Sequence, residues 1–94
     1  MSDPDLEWDE WKAAANETKH GVSFLLAARV FKDRNHVEKP NPKHSLTEAR
    51  FFVIGEVEGV ILTLVCTRRG KAIRIISARP ASQKERREYR SHAV

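Results

Sequence analysis

The stretch from residue 49 to residue 80, ARFFVIGEVEGVILTLVCTRRGKAIRIISARP, decides the fold. Three segments rich in β-branched, aromatic and aliphatic side chains, Ala49–Glu56, Val60–Thr67 and Ala72–Arg79, are separated by Gly59 and by Arg68-Arg69-Gly70. Connections this short join antiparallel neighbours, because a parallel crossover needs a dozen residues or more. The expected unit is an antiparallel meander, ended by Pro80. Regular alternation along its last strand places Ile73, Ile75, Ser77 and Arg79 on one face and Arg74, Ile76 and Ala78 on the other. Arg79 then follows two apolar positions and emerges at the rim of the core.

Upstream of the meander the sequence reads as helix. Leu6-Glu7-Trp8 suits an edge strand, and Asp9 is placed to cap a helix over Glu10–Lys19. Trp11, Ala14, Ala15 and Thr18 line one side of it, and Lys12, Asn16 and Lys19 another. His20-Gly21 is a helix end. Ser23 caps a second helix whose apolar set is Phe24, Leu25, Ala27, Ala28 and Phe31, with Lys32-Asp33 closing it. Residues 34–47 hold two prolines, two histidines and two asparagines and read as a loop, with Val37 in a brief strand. Downstream, Ser82 and Glu85 form a capping box for the basic helix QKERREYR. The predicted architecture is α+β: two N-terminal helices, a small antiparallel sheet of three to four strands, a short N-terminal edge strand beside it, and a basic C-terminal helix. One sheet face packs on the N-terminal helices and the other stays partly open, as a substrate platform or a partner surface. All 94 residues form a single domain, with residues 1–5 and 91–94 expected to be flexible.

Composition narrows the function. Residues 1–11 carry five acids and no base, whereas residues 68–94 carry nine bases and two acids, a net +7 against +4 for the whole chain. The gradient points to an electropositive C-terminal half that holds a polyanion or an acidic partner. Cys66 is the one cysteine, which excludes an intrachain disulfide and a thiolate metal cluster and suits a small buried hydrophobe. His20, His36, His44 and His92 share no metal-ligand spacing, so no metal is expected. The four glycines build no phosphate-cradling loop, so no nucleotide cofactor is expected either. The acidic start is the reverse of a signal peptide and no apolar run is long enough to span a bilayer, so a cytoplasmic protein without membrane contact is the expectation.

Two constellations carry candidate chemistry. Arg50, Arg68, Arg69, Arg74 and Arg79 lie on or between the strands, and arginine presents a fork of donors to phosphate and stabilises charge during phosphodiester cleavage. The plain alternative is a solvated surface, or an Arg79 that ties the last helix down through Glu85. Lys12, Asn16, Lys19 and His20 offer a second polar set, with protonated His20 favoured by the helix C-terminus. An ordinary wet helix face would look the same. Glu48 is the most plausible carboxylate base near Arg50. Tyr89 is the one large ring of the last helix and packs on the sheet, stacks on a base or supplies a hydroxyl.

Three long segments, LEWDEWKAAANETKHGVSF (6–24), HSLTEARFFVIG (44–55) and AIRIISARPASQKERREY (72–89), resemble the BrnT family of type II toxins, in the family's order and from about residue 6 to residue 90. Lys12, Asn16, Lys19, His20 and Gly21 fit a K-x-x-x-N-x-x-K-H-G signature, and Glu48, Arg50, Arg74, Ser77, Arg79, Glu85 and Tyr89 fall on its C-terminal patterns. Glu10 stands where many members carry Pro, and Pro80 where a second basic residue is common. The resemblance implies a RelE-like fold and a metal-independent, cofactor-free endoribonuclease that inhibits translation. Catalysis then falls to His20, Glu48, Arg50 and Arg79, and RNA binding to Lys12, Asn16, Lys19, Arg68, Arg74 and Tyr89. It also implies neutralisation by a BrnA-like antitoxin, in a complex with two copies of each protein that meets operator DNA only through the antitoxin. The competing expectation is a catalytically inactive nucleic-acid-binding protein or co-repressor.

Overall fold

The computed structural model describes residues 5–41 and 49–92. Strand β1 (Asp5–Glu7) leads into helix α1 (Glu10–His20), helix α2 (Phe24–Ala27) and a 3-10 turn over Ala28–Lys32. Strands β2 (Val37–Asn41), β3 (Arg50–Val57), β4 (Val60–Arg69) and β5 (Ala72–Pro80) follow, and helix α3 (Gln83–His92) closes the chain. Asp5 therefore lies in a strand and α3 reaches His92, inside the stretches expected to be flexible. No described helix is long and apolar enough to cross a membrane.

The five strands form one sheet in the order β1-β5-β4-β3-β2. The meander β3-β4-β5 is antiparallel as expected, and β2 adds to it antiparallel with Pro40 on the outer edge, where a missing donor is tolerated. At the other edge β1 runs parallel to β5, so the sheet is mixed. Glu58 and Gly59, both at positive φ, make the two-residue turn that pairs Val57 with Val60. Asp9 and Ser23 cap their helices through Lys12 N and Leu26 N, as the sequence indicated. The helix begun at Phe24 tightens into the 3-10 turn, which buries Val30 and Phe31 against the sheet. Gly55 makes room for that contact: a Cβ there would stand 2.6 Å from Val30 Cγ1.

One face of the sheet carries Val53, Val57, Leu62, Leu64, Cys66, Ile73, Ile75 and Ala78, all buried under α1, α2 and the 3-10 turn. The opposite face holds a smaller cluster of Ile54, Ile61 and Ala81 under Tyr89 of α3. Both layers follow from strand alternation except at one place. Cys66 pairs with Ile75 but Val65 pairs with Ser77, so Ile76 is an extra residue in β5. The bulge overturns the expected faces: Ala78 joins Ile73 and Ile75 in the core, whereas Ser77 and Arg79 join Arg74 on the α3 face.

A second correction concerns α1. Trp11, expected on the apolar side, is 87% exposed, and Ala14, Ala15 and Thr18 are exposed with it. The inward side carries Ala13 and Asn16, the latter buried. β1 pairs with β5 only as far as Arg74, which leaves the remaining β5 edge without a strand. Asn16 covers it. Its Nδ2 donates to Ala78 O (2.8 Å) and Val22 O (3.0 Å), and its Oδ1 accepts from Ala78 N (3.1 Å). The carboxamide thus stands in for a neighbouring strand and satisfies an edge that burial would otherwise penalise.

This staple makes a sharp prediction. Asn16→Asp is nearly isosteric but sets an acceptor against two carbonyl oxygens, and a buried unsatisfied group costs about 1–3 kcal/mol, more when charged. The variant should unfold in urea at a clearly lower midpoint than the parent, with Asn16→Ala between them. Equal midpoints for all three would contradict the role given to Asn16.

Candidate nucleic-acid interface

Among the described residues helix α3 covers only one end of the second sheet face, and the way it is seated defines what they leave open. Tyr89 packs on Ile54 and Ile61 and donates its hydroxyl to Asp33 Oδ2 at 2.5 Å. Lys39 Nζ meets Glu88 Oε2 at 2.7 Å. Glu85 is the hub: it accepts from Arg79 Nη1 (2.7 Å) and Nη2 (2.8 Å), from Thr63 Oγ1 (3.0 Å) and from Ser82 N (2.8 Å). Ser82 Oγ accepts in return from Glu85 N at 3.2 Å, completing the capping box.

These bonds shift the groups that make them. The Arg79 fork holds the Glu85 carboxyl down at about 2 against the opposing effect of burial, with help from Ser82 N and Thr63. The same bonds raise Arg79 above its ordinary value. Burial, then the bond to Asp33, pushes the Tyr89 hydroxyl up to about 12, so it serves as a neutral donor. Burial alone would raise Asp33, but the Tyr89 hydroxyl, the amides of Asn35 and Glu56 and the charge of His36 together lower it.

Beyond α3 a row of side chains crosses all five strands: Asn41, Arg50, Thr67, Arg74 and Glu7 are successive cross-strand partners. Strands lie roughly 4.8 Å apart, so Arg50 and Arg74 flank Thr67 about 10 Å from each other at their backbones. Thr67 is buried and donates Oγ1 to Ala49 O at 2.8 Å. Arg74 Nη2 lies 3.3 Å from Glu7 Oε2. Arg50 forms no ion pair among the described residues. The Nε–H of each arginine is buried without a hydrogen-bond partner. Unpaired buried donors are rare in proteins, and two arginines that carry them on one sheet face, on either side of one strand, suit an anion with several oxygens.

The remaining candidates separate from this row. Lys12 and Lys19 are exposed on α1, and His20 ends it, in the layer on the opposite side of the sheet. Asn16, from the same signature, is consumed as the β5 staple. Arg68 is not in a turn but in β4, on the helix-covered side, 4.6 Å above the Phe51 ring and 2.7 Å from Glu38. Arg79 is on the open side yet has both terminal nitrogens on Glu85, the tie that the sequence offered as the plain alternative. Tyr89 is buried and packs. Glu48 lies outside the described residues. Among the described residues no three His, Cys, Asp or Glu side chains gather as a metal site would require.

A family model described as the ribonuclease toxin BrnT of type II toxin–antitoxin systems matches residues 8–85. The chain belongs to the BrnT toxin family. No curated protein matches it in sequence. As a BrnT-family member it is the endoribonuclease toxin of a type II system, with RNA as its substrate and a cognate antitoxin as its partner. In this BrnT-family fold the signature on α1 divides by task, Asn16 inward for structure and the lysines outward.

Several residues of the open face escaped sequence reasoning. Thr67 and Glu7 complete the arginine row, and Phe52 and Val65 occupy the next one beside Ser77, which the family resemblance had already marked. The signal for Thr67 was present, since two-residue turns at Glu58-Gly59 and Gly70-Lys71 fix Arg50 and Arg74 opposite it.

The Glu85 hub predicts a pH dependence. A carboxyl lowered from 4.5 to about 2 on folding contributes stability that is complete above about pH 4.5 and lost as pH falls towards about 2. Glu85→Gln should therefore be less stable than the parent at pH 7, with the gap closing over that acid range in denaturant titrations. A gap independent of pH would remove the Arg79–Glu85 tie from the account.

Proposed function

We propose that this toxin cleaves single-stranded RNA on the open sheet face, with Arg50 and Arg74 holding the scissile phosphate and no divalent metal taking part. The observation that carries the reading is the pair of unpartnered Nε–H groups on either side of Thr67. In the reaction the ribose 2′-oxygen attacks the adjacent phosphorus, the bond to the 5′-oxygen breaks, and a 2′,3′-cyclic phosphate and a 5′-hydroxyl result. A base takes the 2′-hydroxyl proton, an acid returns one to the leaving oxygen, and fixed cations stabilise the extra negative charge of the phosphorane between them. Arg50 and Arg74 serve the last task. Glu48, two residues before Arg50 in the chain, is the proposed base. Arg79, committed to Glu85, acts as a positioning residue that seats α3 beside the site. Lys12, Lys19 and His20 belong to the opposite layer and are given no part in the same phosphate contact.

The proposed antitoxin is BrnA-like and cytoplasmic with its toxin. It lays an acidic segment over Arg50 and Arg74, blocks substrate, and assembles as two toxins with two antitoxins that touch operator DNA only through the antitoxin. Charge complementarity favours that placement, and binding adds stability by mass action.

Cleavage should persist in EDTA. Arg50→Ala and Arg74→Ala should each lower it by roughly 10²–10³, the size of losing one preorganised donor to a charged transition state. Arg79→Ala should instead lower the unfolding midpoint. Loss of activity in EDTA would refute the metal-free mechanism, and full activity in both arginine variants would refute the site. A non-catalytic RNA binder would lose affinity in these variants while the parent gives no product. Light scattering of the co-expressed pair should give the mass of a heterotetramer, and a different mass would reject that stoichiometry.

A further inference from the structure

The row beside the arginines has a chemistry of its own. Phe52, Val65 and Ser77 are successive cross-strand partners on the open face, one step along the strands from Arg50, Thr67 and Arg74. All three are half-buried. Phe51, one residue earlier, packs on the main core, but Phe52 belongs to neither apolar cluster. Its ring and the Val65 methyl groups therefore present an apolar patch among polar neighbours: Lys39, the β2 partner of Phe52, which is tied to Glu88, Ser77 on the other side, and the arginine row beyond. The Ser77 hydroxyl forms no hydrogen bond within the described residues, and it faces this way only because the bulge at Ile76 turns it there.

We infer that Phe52 and Val65 form a platform for one nucleobase, with the Ser77 hydroxyl at its edge. The inference rests on the reading that Arg50 and Arg74 hold an RNA phosphate. Two residues along a strand span about 6.6–7 Å, so the platform lies within the reach of a nucleotide whose phosphate sits between the arginines. An aromatic ring stacks on any base because every base has a π-face, and single-stranded RNA leaves its bases free to be splayed onto a sheet. A hydroxyl donates as well as accepts, so Ser77 fixes the orientation of the base in its plane without selecting one base by itself. Thr63 and Arg79, one row further on, are tied to Glu85 and wall the platform off on the α3 side. Position 52 is thus the place where this face distinguishes a nucleobase from a bare phosphate chain.

The test uses the purified toxin and a single-stranded 2′-O-methyl RNA, which binds without being cut, made abasic at each position in turn. For the parent, one abasic position should weaken binding by roughly 5- to 150-fold, the fold-change of one base–aromatic stack. Phe52→Leu should show the same loss on intact RNA and little further loss at that abasic position, the mark of a coupled pair. Phe52→Tyr, which keeps the ring, should recover most of the affinity. Because the abasic arm alters only the RNA, a parent insensitive at every position overturns the platform even if Phe52→Leu folds poorly. If the parent binds RNA and Arg50→Ala weakens it, but no abasic position matters, the platform is wrong and the phosphate reading stands. If the parent is insensitive to Arg50→Ala, the phosphate reading itself fails. If Phe52→Leu leaves RNA binding alone and weakens only retention of the co-expressed antitoxin, the patch recognises protein and the inference is overturned.

Discussion

The Asn16 carboxamide grips both backbone groups of Ala78, two residues beyond the extra residue in β5, at the point where the two faces of that strand are sorted. A bulge leaves the bulged strand bent and its following residues free to take either of two faces. Here the pairing of Ala78 with Leu64 sets Ala78 inward and the paired amide bonds hold that edge in place, so Ser77 and Arg79 turn outward to the side of Arg74. Without the bulge, Ser77 would point into the core and Arg79 to its rim, on the face opposite Arg74. One helical asparagine, buried in the layer on the other side of the sheet, thus helps to hold the side chains of the α3 face in place.

The same division explains how a chain this small keeps a stable core and a reactive surface apart. Apolar burial is concentrated under α1, α2 and the 3-10 turn. The second face has only Ile54, Ile61 and Ala81 beneath Tyr89, so α3 is held largely by polar ties: Arg79 and Thr63 to Glu85, Lys39 to Glu88, Tyr89 to Asp33. Arginines on this face consequently fall into two kinds. Arg79 is neutralised by a carboxylate and buttresses α3. Arg50 and Arg74 retain unpaired donors, and it is donors without an internal acceptor that a phosphate can use.

Much of the fold was legible because local signals agree with the global one. Asp9, Ser23 and the Ser82/Glu85 pair mark helix starts that the chain uses, and Gly59 and Gly70 mark the hairpins. What the sequence hid is what depends on contacts remote along the chain. Asn16 looks like a surface amide on a helix face shared with Lys12 and Lys19, and only the bare edge of β5 draws it inward. Ile75-Ile76 gives no sign of which isoleucine is surplus, so alternation counted through it put Ser77 and Arg79 on the wrong side. Arg68 sits two residues before Gly70 and reads as turn, but pairing of Arg69 with Ala72 extends the strand past it and turns it towards Phe51 and Glu38. The candidate site shared this fate: Arg50 and Arg74 were found by residue type, whereas their separation from His20 is a matter of layers that no spacing encodes.

The central claim is that RNA meets the arginines of the open face and not the cations of α1. Side-chain NMR signals of the arginines, lysines and histidines, followed while a non-cleavable 2′-O-methyl RNA is added, test it most directly. The account predicts large shifts for Arg50 and Arg74, with Arg68 and Arg29 unmoved on the other side and at the rim. Shifts that instead gather at Lys12, Lys19 and His20, with Arg50 and Arg74 unchanged, would contradict it.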